Sequence, residues 1–152
     1  MRKDRPLIFL KMTLYALAIF HVLVGMALVV SKTAQFNLTF LYGATLTSSD
    51  QSSYLLRIIG SFAFALGLML WLAARDPLKY KWIVLNAVIF FAFRNIQRSI
   101  FIQEVESLEI SATKNWLTNL FFWLLVIGLL AMLGAAGKRK ALSDKGEKAT
   151  KG

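Results

Sequence analysis

The stretch Tyr80–Ile102, YKWIVLNAVIFFAFRNIQRSIFI, decides how the chain folds. It has the length of about 20 residues that a hydrocarbon core of about 30 Å demands. In a medium without water, only a helix satisfies every backbone N–H and C=O inside such a segment. Arg94 and Arg98 stand one helical turn apart within it, and Asn86, Asn95 and Gln97 lie on the same span. An arginine near mid-membrane costs roughly 2.5–3.5 kcal/mol on insertion scales, so two of them call for a polar site or for charge neutralisation.

Three further apolar runs have the same length: Leu7–Val30, Tyr54–Ala74 and Trp116–Ala136. The chain is 57% hydrophobic with a mean hydropathy of +0.59, more apolar surface than a soluble domain of this size can hide. The expected fold is therefore all-α: an integral-membrane, antiparallel four-helix bundle over residues 1–136. A basic, disordered tail is expected over residues 137–152, which are rich in Lys, Ala, Gly, Ser, Asp and Glu.

Orientation follows from the basic residues that flank the spans. Arg2, Lys3, Arg5, Arg75, Lys79, Lys81, Lys138, Arg139, Lys140, Lys145, Lys148 and Lys151 fall on one side, and only Lys32 and Lys114 on the other. Both termini and the short connection around Asp76 are thus expected in the cytoplasm. The first run is too long for the apolar core of a cleaved signal peptide. In the connection, Asp76 is suited to cap a helix and Pro77 to occupy its first position. The segment Ser31–Ser53 carries Phe36, Leu38, Phe40, Leu41 and Tyr42 and is expected at headgroup level, as a short helix or an extended strand.

The composition also excludes functions. Cysteine is absent, which removes disulfides and thiol chemistry, and His21 is the one histidine, so one copy of the chain holds no multi-histidine metal centre. The net charge of +10 clusters at span ends without an aromatic-interleaved basic platform, which argues against nucleic acid as a partner. No nucleophile motif or Gly-rich phosphate loop occurs, and Glu104, Glu106 and Glu109 sit in a loop. No catalytic residue, metal site or recognisable cofactor is read from the chain.

Helix contact in lipid relies on close packing and hydrogen bonds. Gly60, Ala63 and Gly67 share a face of the second span and are expected to bury it; Gly25 on the first and Gly128, Ala131 and Ala135 on the fourth are further candidates. Trp71, Trp82 and Trp116 read as interfacial anchors, with Trp123 deeper in the core.

Counted from the cytoplasmic start of the third span at about 1.5 Å per residue, Arg94 lies roughly 18–21 Å in and Arg98 roughly 24–27 Å in. Arg57, one turn into the second span, reaches a similar level. Two explanations compete for these three guanidiniums, together with Asn86, Asn95 and Gln97. In one, Asp50 or the loop glutamates neutralise them; in the other, they meet the anionic or carbonyl-bearing head of a lipid, polyprenyl phosphate or quinone. His21, mid-helix, is expected to hydrogen-bond across helices to Asn86, Ser61 or Tyr15, the other use of such a residue being axial ligation of a tetrapyrrole.

Several short segments share a pattern: His21-Val22-Leu23-Val24-Gly25, Leu41-Tyr42-Gly43, Leu56-Arg57-Ile58-Ile59-Gly60, Ala65-Leu66-Gly67 and Ala73-Ala74-Arg75-Asp76-Pro77. From Leu7 to Leu133 the chain resembles the small four-span bacterial membrane proteins grouped as DoxX-like. The resemblance implies a multi-pass protein of the bacterial cytoplasmic membrane, and some members are similar to subunits of quinone-reducing oxidoreductases. The expected function is that of a non-enzymatic accessory or lipid-interacting subunit. Its partners would be membrane lipids, other subunits or further copies of itself. A quinone-binding subunit of an oxidoreductase and a small transporter or channel component are the alternatives.

Overall fold

A computed structural model describes residues 5–41, 49–103 and 112–150. Among them there are helices and turns and no strand. The helices are α1 (Arg5–Val30), α2 (Lys32–Leu41), α3 (Asp50–Arg75), α4 (Lys81–Ile100) and α5 (Ala112–Thr150). Four of them, α1, α3, α4 and α5, are long and apolar enough to cross a membrane, which makes the chain a multi-pass membrane protein by length and composition.

The closest pairing is α1 with α3, and glycine is its cause. A Cβ on Gly25 would stand 2.5 Å from the backbone N of Phe64 and 2.7 Å from the Gly60 carbonyl oxygen. A Cβ on Gly67 would meet the Val22 side chain at 2.7 Å and the Ala18 carbonyl at 2.9 Å. Without side chains there, the two backbones touch, the close approach that small residues allow in a bilayer. At the far end the Tyr15 and Trp71 rings meet edge to face at 5.2 Å. Partners of rising number in α1 therefore have falling number in α3.

The other contacts close a ring: α4 packs on α5, α5 on α1, and α3 on α4. Its centre is a single apolar cluster in which Leu10 and Leu14 of α1, Leu70 of α3, Phe91 of α4 and Leu129 of α5 are buried. Large side chains such as Phe62 and Trp116, both at least 70% exposed, face outward, the surface a bilayer covers.

Several expectations are corrected. Pro77 does not open α4: Asp76 caps the end of α3, its carboxylate accepts from the Lys79 N–H at 3.1 Å, and α4 starts at Lys81 after one turn. Gly128 has no atom within 4 Å of the place a Cβ would take, and Ala131 is exposed; Ala135 is half-buried, and Ala136, 4% exposed, is the small residue that α5 buries. Trp123 is 40% exposed rather than core. The helix α5 runs on past Gly137 to Thr150, through a stretch whose Ala, Lys, Arg and Leu all favour helix.

Of the two forms open to the segment after α1, the helix is adopted. Ser31 Oγ accepts from the Ala34 N–H at 3.2 Å and starts α2. The fully buried Gln35 then pins α2 to both neighbours: Nε2 donates to the Leu28 carbonyl of α1 at 2.6 Å, and Oε1 accepts from Ser53 Oγ of α3 at 2.7 Å. The exposed Lys32–Asp50 ion pair at 2.9 Å lies beside this bracket.

Candidate lateral groove

The polar residues of the bundle gather where the Ile100 end of α4 meets the Ala112 end of α5. Asn95 and Arg98, three apart, share the buried face of α4 with Val84, Val88 and Phe91. Asn115 and Asn119, four apart, share the buried face of α5. Both spacings repeat about once per helical turn, so each pair forms one column facing the other.

Two hydrogen bonds among the described residues join the columns. Arg98, 5% exposed, donates from Nε to Asn115 Oδ1. Asn95, 1% exposed, donates from Nδ2 to the backbone carbonyl of Asn119 at 3.2 Å. A buried cation requires such partners, because desolvation of a charge is costly. The Oδ1 atoms of Asn95 and Asn119 are buried and have no hydrogen-bond partner among the described residues. One layer further along the seam, the Phe91 and Phe122 rings meet at 5.9 Å and restore an apolar contact.

A groove of about 420 Å³ opens beside this seam. Ser99, Asn115 and Asn119 supply its polar lining; Ile102, Leu117 and Leu120 supply the apolar part, and Trp116 and Trp123 complete it. Its volume lies within the range of about 300–1,000 Å³ found for small-molecule sites, and a mostly apolar lining with a few convergent polar groups is their usual composition. The arrangement can hold an amphiphile, with polar atoms at the asparagines and apolar ones along Leu120 and Trp123.

Of the residues singled out in the sequence, the structure joins Arg98 and Asn95 in this seam. Arg94 is exposed and its Nη1 donates to Gln97 Oε1 at 3.5 Å, also on the outer side of α4. Asn86 is exposed, and so is Arg57 of α3, whose backbone carbonyl accepts from Ser61 Oγ at 3.0 Å. His21 makes no interhelical hydrogen bond: Nδ1 donates to the Leu17 carbonyl of its own helix at 2.7 Å, and the ring packs on Phe91 at 5.7 Å. A half-buried imidazole satisfies itself locally when no polar side chain on the facing helix reaches it. Asp50 pairs with Lys32, and Glu104, Glu106 and Glu109 lie outside the described residues.

Asn115 and Asn119 escaped the sequence reading. Their signal was present: two asparagines four apart at the start of an apolar span occupy one helical face, and a hairpin sets that face against Asn95 and Arg98. Compared with protein-family models, with curated proteins and with solved structures, the chain matches none.

Proposed function

We propose that the chain is a non-enzymatic, lipid-interacting accessory protein of the bacterial cytoplasmic membrane, a four-helix antiparallel bundle of the DoxX-like kind. Both termini and the connection between α3 and α4 face the cytoplasm. The asymmetry of Lys and Arg between the two sides supports this orientation, and the opposed order of contacts along α1 and α3 supports the antiparallel arrangement. In that frame the groove opens to the side, in the outer half of the bundle, where the head of an outer-leaflet amphiphile meets Asn115 and its tail lies along Leu120 and Trp123.

The observation that carries this reading is a buried arginine, Arg98, hydrogen-bonded to a side chain that itself lines an apolar groove. Intramembrane charge of this kind marks a site by default. Protein purified in mild detergent is expected to retain a lipid visible by native mass spectrometry, and Leu120→Trp, which fills the groove, is expected to lose it. A wild-type protein carrying no amphiphile overturns the reading. Trp116 and Trp123 on the same groove favour a second reading, in which a flat quinone ring occupies it and a partner subunit supplies electrons. Quinone in the same spectra, together with a stoichiometric partner, selects that one.

A further inference from the structure

We infer that the turn between α3 and α4 is a docking surface for the phosphates of anionic phospholipids, a lipid contact separate from the groove and at the other end of α4. Three exposed cations stand there: Arg75 ends α3, Lys79 lies in the turn and Lys81 opens α4. The turn is tight and lies against the core. Pro77 is fully buried, Tyr80 packs on the apolar cluster, and the Tyr80 N–H donates to the Asp76 carbonyl at 3.0 Å. Arg75 and Lys81 are the chain neighbours of that bonded pair, so the backbone holds them on either side of one turn.

Tyrosine and tryptophan settle at headgroup level, and the two lysines lie beside such rings. Lys79 Nζ is 5.3 Å from the Tyr80 ring centre, and Lys81 Nζ is 5.4 Å from that of the exposed Trp82. The rings attract the ammonium groups but carry no net charge, so both stay positive at the depth of lipid phosphates. No protein acid cancels them. Asp76, the one acid in the turn, directs Oδ1 to the Lys79 backbone N–H at 3.1 Å. Among the described residues none of the three cations is in an ion pair, whereas Lys32, at the opposite end of α3, is held by Asp50 at 2.9 Å. A guanidinium fork with two point charges matches a phosphate. A choline head brings its own cation to compete with them, and a glycerol head does not. The occupant is therefore an anionic phospholipid of the leaflet at this end.

The test reads the lipids around Trp82. The whole chain, with Trp71→Phe, Trp116→Phe and Trp123→Phe so that Trp82 is the emitting indole, is placed in vesicles of phosphatidylcholine and phosphatidylglycerol in equal parts. Quenching bromine is carried on the chains of one lipid or the other, and both leaflets have the same mixture, so the direction of insertion does not matter. Brominated phosphatidylglycerol is expected to quench Trp82 more strongly than brominated phosphatidylcholine. The preference is expected to vanish as salt rises from about 0.1 M to about 1 M and the screening length falls from about 10 Å to about 3 Å. Each lysine is expected to contribute up to about fivefold in relative affinity, so Lys79→Gln/Lys81→Gln removes most of the preference. A chain that keeps Trp116 instead of Trp82 reports on the other end and is expected to show a smaller one. Equal quenching of Trp82 by the two lipids overturns the inference. So does a preference of the same size at Trp116, which assigns it to the net charge of the whole chain, and so does one that survives Lys79→Gln/Lys81→Gln or high salt. Where the tryptophan replacements disturb the fold, spin-labelled phosphatidylglycerol and phosphatidylcholine make the same comparison on the native chain and on Lys79→Gln/Lys81→Gln, and equal association again overturns the inference. The groove reading stands or falls separately, since neither lysine lines the groove.

Discussion

Arg98 and Asn115 are joined across the α4–α5 contact, guanidinium Nε to amide Oδ1, with both side chains buried. Removing the acceptor alone takes one hydrogen-bond partner from the buried cation. Asn115→Leu is therefore expected to cost about 1.5–3 kcal/mol, the usual loss for a hydrogen bond to a charged group. Unfolding of the detergent-solubilised protein measures it. Because the two residues share this bond, the double variant Arg98→Leu/Asn115→Leu is expected to lose less than the sum of the single variants.

The same substitution one turn away should behave differently. Arg94 is exposed and its hydrogen bond to Gln97 is long, at 3.5 Å. Arg94→Leu is expected to change stability by no more than about 0.5 kcal/mol, as surface substitutions do. Arg98→Leu strands the Asn115 carbonyl and is expected to cost about 1–3 kcal/mol. Equal losses at the two positions would contradict the division between buried and exposed arginine.

The glycines divide in the same manner. Gly25→Ala drives a methyl group into the backbone of Phe64 and Gly60, which has no rotamer with which to yield. Overpacking of this kind is expected to cost about 1–3 kcal/mol or more. Gly128→Ala enters open space and is expected to stabilise α5 by up to about 1 kcal/mol through helix propensity. Thermal unfolding of both variants in one detergent makes the comparison.

Gln35 holds α2 against α1 and α3 by two hydrogen bonds. Gln35→Leu leaves the Leu28 carbonyl and the Ser53 hydroxyl without those partners, at an expected cost of about 1–3 kcal/mol. Hydrogen exchange is expected to rise across Lys32–Leu41 while the Phe91–Leu129 region of the core keeps its protection.

The proposed orientation has a direct check. The native chain has no cysteine, so single replacements report cleanly. Thr33→Cys is expected to react with a membrane-impermeant maleimide from the periplasmic side, and Lys79→Cys only after the membrane is opened. The reverse pattern would invert the topology.

The four spanning helices could be read from the chain because the solvent imposes them. An apolar run such as Leu7–Val30 has no other way to satisfy its backbone in oil, and α1 covers it. That Gly25, Gly60 and Gly67 would serve close approach was readable for a related reason, since glycine permits what larger residues forbid, but that they bring α1 against α3 was not. Which face of α4 points inward was not readable. In water, polarity marks the outer face of a helix, but in lipid Phe91, which is buried, and Phe93, which is 68% exposed, are equally at home. Arg94 and Arg98 therefore look alike in the sequence. Only the packing of α4 on α5 separates them, by burying Arg98 beside Asn115 and leaving Arg94 outside. The groove exists for the same reason, since its lining comes from two helices whose mutual rotation is set by contact rather than by hydropathy.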